Sequence, residues 1–360
     1  MYRITLTIGL LVFAWISVQG QQTAEEKLRN AFTEAIANKQ TIGLAGGYAE
    51  GGEIRMTYSD GLANLEDEIP FTENTPVRIA SITKPITAIA IMQLVEAGKI
   101  DLSASVASYL PEFETPELKA IKVIHILQHS SGIGAYKNKK EAANTVNYES
   151  LSAALEIFID RELQFEPGTD FGYTSYGYVI LGMLIEKQSG LSYEAYLKAN
   201  IFEPLGMDST YLERSVDYKE NEALVYHARR PGKISLIDDN SLSDRFPGGG
   251  LRSTVTDLLK FGMGVLNYSL VSKETHELMI TNTGLKKEGN PYGLGWYLYG
   301  GSEPYWQIFG HNGAQYGCSS FLFLFPDTNR VTVVLSNTSR FEKVGDLAIQ
   351  FYQIAKERSK

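Results

Sequence analysis

The sequence predicts an α+β fold: an antiparallel sheet flanked by helices from both chain ends, with a mostly helical region inserted between its halves. Three observations predict it. Strand patterns crowd the two ends of the chain, helix patterns fill the middle, and a periodic helix both precedes the first strands and follows the last. Residues 24–38 carry Leu28, Ala31, Phe32 and Ile36 at helical spacing. A hairpin follows over 42–60, turning at Gly51-Gly52. Residues 82–97 read as a buried helix, since Ile86 through Val95 leave little polar surface. Further helices are expected near 104–109, 121–128, 149–160, 176–188, 192–200, 254–266 and 272–280. Strand patterns return at Tyr292–Tyr299, Tyr305–Phe309, Ser319–Phe325 and Val331–Ser336, with a turn at Pro326 to Asn329. A last helix covers about 343–357. A cleft is expected where the two halves meet, since ligand sites favour such junctions.

Composition narrows the function. The 360 residues are 44% hydrophobic and 21% charged, as in ordinary globular proteins. Lys and Arg number 33 against 42 Asp and Glu, giving a net charge of −9. That balance argues against a nucleic-acid partner and against anionic membrane surfaces. The single cysteine, Cys318, excludes an intramolecular disulfide framework and any multi-cysteine metal site, and it reads as a small core residue. The five histidines are dispersed and no His-Glu-x-x-His occurs, so no protein-built metal site is expected. At the N-terminus Arg3 precedes an apolar run from Ile4 to Val18, and charge returns at Glu25. That run is short for a membrane span and typical of an export signal, expected to end near Gly20 and to leave no stable span once removed. The organisation expected is a signal peptide at 1–20 and one domain at 21–360. Its α/β part takes up about 21–80 and 285–360, and its helical part about 81–284.

Three local patterns carry chemistry. Ser81-Ile82-Thr83-Lys84 sits between an extended segment and the buried helix. A serine at a helix N-terminus has free N–H groups beside it, and a lysine three residues on shares its face. A crowded lysine loses its charge and can take the hydroxyl proton. Pro167-Gly168 turns the chain toward Tyr173 and Ser175, where a tyrosine in a cleft can donate and accept protons. Gly310-His311-Asn312-Gly313 stands ahead of a strand, and its glycines let backbone approach a ligand.

Together these patterns resemble the Ser-x-x-Lys, Tyr-x-Asn and Lys-Thr-Gly boxes of the β-lactamase and penicillin-binding superfamily, in its class C and DD-peptidase branch. Further patterns agree: Arg78-Ile79-Ala80, Ile126 to Gly132, Gly248 to Thr254, and Tyr292 to Trp296. The likeness runs from about 25 to 357. It implies a β-lactamase/transpeptidase-like fold and an acyl-enzyme mechanism without metal or organic cofactor. Ser81 attacks a carbonyl, and Lys84 and Tyr173 share the proton transfers. The N–H groups of Ser81 and Ala314 form the oxyanion hole, each donor being worth about 10²- to 10³-fold. Ser175, His311, Asn312, Gly313 and Arg252 are the residues expected to meet a small-molecule or peptide substrate. Arg252 has an equal claim to holding the Gly-rich loop. The protonation states of Lys84 and Tyr173 stay open at this stage, as do substrate, leaving group and oligomeric state.

Two departures matter. Ser175 stands where these enzymes carry asparagine, and His311-Asn312 stands where they carry lysine and threonine. A histidine is only partly charged near neutral pH, so a permanent cation for a β-lactam carboxylate is lost. The expectation is therefore an exported serine hydrolase, periplasmic or else extracellular, acting on an ester, amide or D-amino-acid peptide bond, with weak or no β-lactamase activity. The alternatives are a true class C-like β-lactamase and a non-catalytic penicillin-binding or sensor-type protein. His125 and His129 are expected to shape a turn, and His227 and His276 to lie at the surface.

Overall fold

The alternating segments at the two chain ends pair into one sheet of seven strands. The computed structural model describes residues 22–214, 221–230, 232–237, 240–281, 283–285, 292–299 and 308–359. Strands β1 (Gly43–Glu50), β2 (Glu53–Asn64) and β3 (Ile69–Pro70) come from the N-terminal part. Strands β4 (Tyr297–Tyr299), β5 (Ile308–Gln315), β6 (Cys318–Phe325) and β7 (Arg330–Ser336) come from the C-terminal part. The order is β3-β2-β1-β7-β6-β5-β4, and every pair is antiparallel. The two ends of the chain join at β1 and β7, where Leu44 faces Ser336 and Glu50 faces Arg330.

Side chains on the strands alternate between two cores. Leu44, Tyr48, Val334, Phe323 and Phe325 meet the terminal helices Ala24–Ala37 and Val344–Arg358 through Leu28, Phe32, Ala348 and Phe351. Ala45, Ala49, Leu322, Leu324, Val331, Val333 and Leu335 turn to the opposite face, toward Leu258, Leu259 and Phe261 of helix Val255–Leu266. Each large apolar side chain so buried contributes about 1.5–3 kcal/mol. Thr23 opens the first helix by accepting from Glu26 N–H, while Glu26 returns a carboxylate to Thr23 N–H.

Helix Thr83–Glu96 lies in the middle of the molecule, buried on every face over its first ten residues. It packs on helix Tyr176–Ser189, which is buried from Tyr176 through Ile185. Ahead of it, Val77–Arg78 pairs with Leu251–Ser253, so that Arg78 and Arg252 lie directly opposite each other. Like charges in that register repel. Glu213 resolves the conflict: Arg252 Nε donates to its carboxylate at 2.6 Å and Arg78 Nε at 2.9 Å. Burial alone raises the Glu213 pKa, but Arg252 and then Arg78 outweigh it and hold the carboxyl below its usual value.

Several expected elements are shorter or displaced. Helices 104–109, 121–128 and 149–160 shrink to single turns at Val106–Ser108, Val123–Leu127 and Leu151–Leu155. The helix expected at 192–200 changes pitch, from Tyr193–Leu197 to a wider turn at Lys198–Phe202. The strand expected at Tyr292–Tyr299 keeps only its last three residues, because Gly295 takes a left-handed φ of +86° and breaks the extension. The expected strand Tyr305–Phe309 is displaced: residues 305–307 lie outside the described ones, and β5 runs through the glycine box instead of stopping before it. Pairing with β6 holds both glycines of the box extended, and β4 adds a second partner at Gly310. The expected signal segment at 1–20 lies outside the described residues. Among the described residues no helix is long and apolar enough to cross a membrane.

Candidate active site

Ser81 sits in a tight turn, Ala80–Ile82, that runs straight into helix Thr83–Glu96. The residue before it, Ala80, holds a left-handed φ of +48°. Such a conformation costs a non-glycine residue about 1–3 kcal/mol, and it persists only where the surroundings fix it. They do so here. Ile79 N–H donates to Leu251 O at 3.1 Å, and Ser320 Oγ donates to Ile79 O at 2.9 Å. Arg78 Nη1 reaches the Tyr316 carbonyl at 2.9 Å, tying this segment to the end of β5.

Lys84 is one helical turn on and has no exposed surface. Its Nζ stands 3.2 Å from Ser81 Oγ, 3.0 Å from Ser175 Oγ and 2.7 Å from Gly248 O. Burial first, and the nearby Arg245 cation second, push its pKa well below the usual lysine value. A neutral amine has two N–H donors and one lone pair. The Gly248 carbonyl takes one donor and the Ser175 hydroxyl can take the other, leaving the lone pair for the Ser81 proton. The ring of Tyr173 lies 4.8 Å from Nζ and that of Tyr178 5.4 Å. Tyr173 is held protonated: burial raises its pKa, the neighbouring Tyr297 adds to this, and a hydrogen bond with Ser81 only partly offsets it. Amine and phenol are thus both neutral beside the hydroxyl, the pairing that removes a proton from one atom and returns one to another.

A cavity of about 790 Å³ opens over these groups. It is lined by Ser81, Tyr173, Ser175, Asn312, Gly313 and Ala314 of the expected set. Gly313 is needed for the close approach, since a Cβ there would meet Ser320 Oγ, Ile79 O and Ala80 Cβ. Two expected substrate residues lie elsewhere. Arg252 is fully buried against Glu213, the Ala223 carbonyl at 3.0 Å and the Pro76 carbonyl at 3.3 Å. It braces the strand before Ser81 and does not line the cavity. His311 has no exposed surface either. Its Nδ1 is 2.6 Å from the Asn312 carbonyl and its Nε2 is 3.0 Å from Tyr292 Oη. A carbonyl only accepts, so Nδ1 carries the proton and Nε2 accepts from the phenol. Burial, followed by repulsion from Lys84, pushes the His311 pKa down to about 3. The imidazole is therefore neutral at pH 7, and not partly charged.

Two other histidines also depart from expectation. His276 is buried between Tyr268 and Phe309, and His227 lies on the cavity wall with Nδ1 2.7 Å from Ser339 Oγ. His129 is enclosed by Tyr173, Tyr178 and Tyr292, with ring centroids 4.3–5.3 Å away. Sequence reasoning missed Tyr136 and Arg245, which also line the cavity. The available signal was the adjacent charge pair Asp244-Arg245, placed just before the Gly-rich loop.

Comparison with known proteins identifies the family. The model of the family Beta-lactamase matches residues 28–355. The chain belongs to that family. Among curated members, penicillin-binding protein 4* of Bacillus subtilis (strain 168) is 28% identical over 336 residues, covering 88% of this chain and 72% of that protein. Among solved structures, the octameric penicillin-binding protein homologue from Pyrococcus abyssi superposes with a TM-score of 0.80 at 29% identity, covering 93% of this chain and 77% of its own. The D-amino acid amidase from Ochrobactrum anthropi SV3 shares the fold, with a TM-score of 0.79 at 23% identity over 94% of this chain and 99% of its own. The β-lactamase/transpeptidase-like fold is thereby established, and the chain stands among the serine hydrolases of the β-lactamase and penicillin-binding superfamily.

Proposed function

We propose that this Beta-lactamase family member hydrolyses an ester, amide or D-amino-acid peptide bond through an acyl-enzyme on Ser81, with weak or no β-lactamase activity. The observation that carries the reading is the buried amine of Lys84, 3.2 Å from Ser81 Oγ and held toward its neutral form. Ser81 Oγ attacks the substrate carbonyl carbon as its proton passes to Lys84 Nζ. The developing oxyanion is met by the N–H groups of Ser81 and Ala314. The tetrahedral intermediate collapses, and the leaving group departs with a proton supplied through Tyr173. Water then attacks the ester, gives up a proton by the same route in reverse, and frees Ser81.

The neutral, enclosed His311 supports the low β-lactamase expectation, because the third box then offers no cation to a β-lactam carboxylate. Ser175 supports it too, since its hydroxyl already faces Lys84. The apolar run after Arg3 supports export, with the periplasm as the proposed destination.

Intact-mass measurement of wild type and Ser81→Ala, after exposure to an activated ester and separately to a penicillin, tests the reading. The expected result is an adduct on wild type alone, short-lived from the ester and persistent from the penicillin. Rapid loss of both adducts would establish a β-lactamase instead. No adduct from either would favour a binding protein.

A further inference from the structure

Arg245 lies outside all three boxes, and only 4% of it is exposed. Asp244 holds the guanidinium by two parallel contacts, Nε to Oδ1 and Nη2 to Oδ2, each 2.7 Å. The ring of Tyr136 covers it, with Cζ 4.4 Å from the ring centroid. Two connections lead from this residue to Lys84. The first runs through side chains: Tyr136 shares the cavity wall with Ser175, whose Oγ is 3.0 Å from Lys84 Nζ. The second runs through backbone. The Arg245 carbonyl accepts the N–H of Gly248 at 2.8 Å and of Gly249 at 3.0 Å, closing the turn Phe246–Gly249. That turn presents the Gly248 carbonyl to Lys84 Nζ at 2.7 Å. The connections also touch each other, since a Cβ on Gly248 would meet Ser175.

We propose that Arg245 is a positioning residue for Lys84, the buried anchor behind the Gly248 carbonyl and the Ser175 hydroxyl that aim the amine at Ser81. The inference rests on the hydrolase reading above and deepens it. Position and charge act together here. A fixed cation at this place disfavours a second cation on Lys84, in accord with the low lysine pKa. The groups facing Lys84 leave Arg245 as the principal source of that field. Ser81, Ser175 and the Gly248 carbonyl are uncharged, and the Tyr173 and Tyr178 phenols are held neutral by burial. His129 and His311, from two further elements, are held neutral as well. Asp244 and Tyr136 reach the amine through Arg245.

The test is the pH dependence of Ser81 acylation by p-nitrophenyl acetate, in wild type and in Arg245→Gln, Arg245→Lys and Asp244→Asn, with Ser81→Ala as the blank. Loss of the cation lets Lys84 keep its proton to higher pH. The acid limb of Arg245→Gln should therefore move up by about one unit. The rate on that limb should fall about tenfold and recover in alkali. Arg245→Lys should restore the limb but not the full plateau, because an ammonium cannot make the two-pronged contact. Asp244→Asn uncovers the cation and should move the limb the other way. The opposed shifts separate coupling from simple damage, which lowers all rates without moving a limb. Limbs that stay at the wild-type pH in Arg245→Gln and Asp244→Asn would overturn the proposal. A wild type that acylates no faster than Ser81→Ala would overturn the hydrolase reading itself.

Discussion

Gly313→Ala offers a sharp test of how Ser81 is held. A methyl group at this position points at Ser320 Oγ, Ile79 O and Ala80 Cβ. None of the three can retreat alone. Ser320 Oγ is bonded to Ile79 O at 2.9 Å, and Ile79 N–H is fixed to Leu251 O at 3.1 Å. Ala80 already occupies the left-handed region at φ +48°. Overpacking of this kind costs about 1–3 kcal/mol. The catalytic loss should be larger in relative terms, because the displaced residues lead directly into Ser81. A shift of about 1 Å in a reacting atom costs on the order of 10²-fold in rate. Urea melts should thus show a loss of about 1–3 kcal/mol. Ester-driven acylation should slow by about two orders of magnitude with the circular dichroism unchanged. A variant that melts lower yet acylates at the wild-type rate would refute the reasoning, since the strand would then yield without moving the nucleophile.

Two further outcomes follow from the buried charges. Glu213→Gln leaves Arg78 and Arg252 facing each other with only Glu222, 3.7 Å from Arg252 Nη1, as a buried counter-charge, and should cost about 3–5 kcal/mol in denaturant unfolding. Retention of wild-type stability would show that Glu222, Asn240 and the surrounding carbonyls suffice. His311 should make the protein acid-sensitive in a defined window. Its folded pKa of about 3 lies below the ordinary 6.5, so the unfolded chain binds the extra proton between those values. Its contribution is full above pH 6.5 and is lost as pH falls toward 3, at about 1.4 kcal/mol per unit. Stability curves for wild type and His311→Gln should therefore converge on acidification. Parallel curves through that window would mean that the imidazole charges in the folded state.

The parts of the site legible from sequence are those encoded over a few residues. Ser81 and Lys84 lie three apart, and helix geometry alone brings them onto one face. The sheet was legible at Cys318–Phe325, where alternation separates Phe323 and Phe325 from Leu322 and Leu324. It was not legible at Gly310–Gly313, because glycine carries no face and the extension there depends on flanking strands. The fate of Arg252 was hidden for a related reason: its partner Glu213 arrives from the segment just after the short strand Tyr211–Leu212, and no local pattern marks a carboxylate that will lie between two arginines. His311 could be read as a third-box residue but not as a neutral one. Its state is set by enclosure and by the nearness of Lys84, and both come from the tertiary fold.

The junction of β1 with β7 bears on when the molecule can form at all. A chain made from its N-terminus produces Ser81 and Lys84 early. The strand that must lie beside β1 emerges only with residues 330–336, followed by the final helix Val344–Arg358. Until then β1 has an open edge, and the apolar side chains of the hairpin lack their cover. Pairing between segments some 280 residues apart makes folding slow, with the nascent hairpin exposed to aggregation meanwhile. Ser81 is thereby kept out of register until that strand is delivered, so that delivery of β7, more than synthesis of residues 81–84, times the appearance of an organised site.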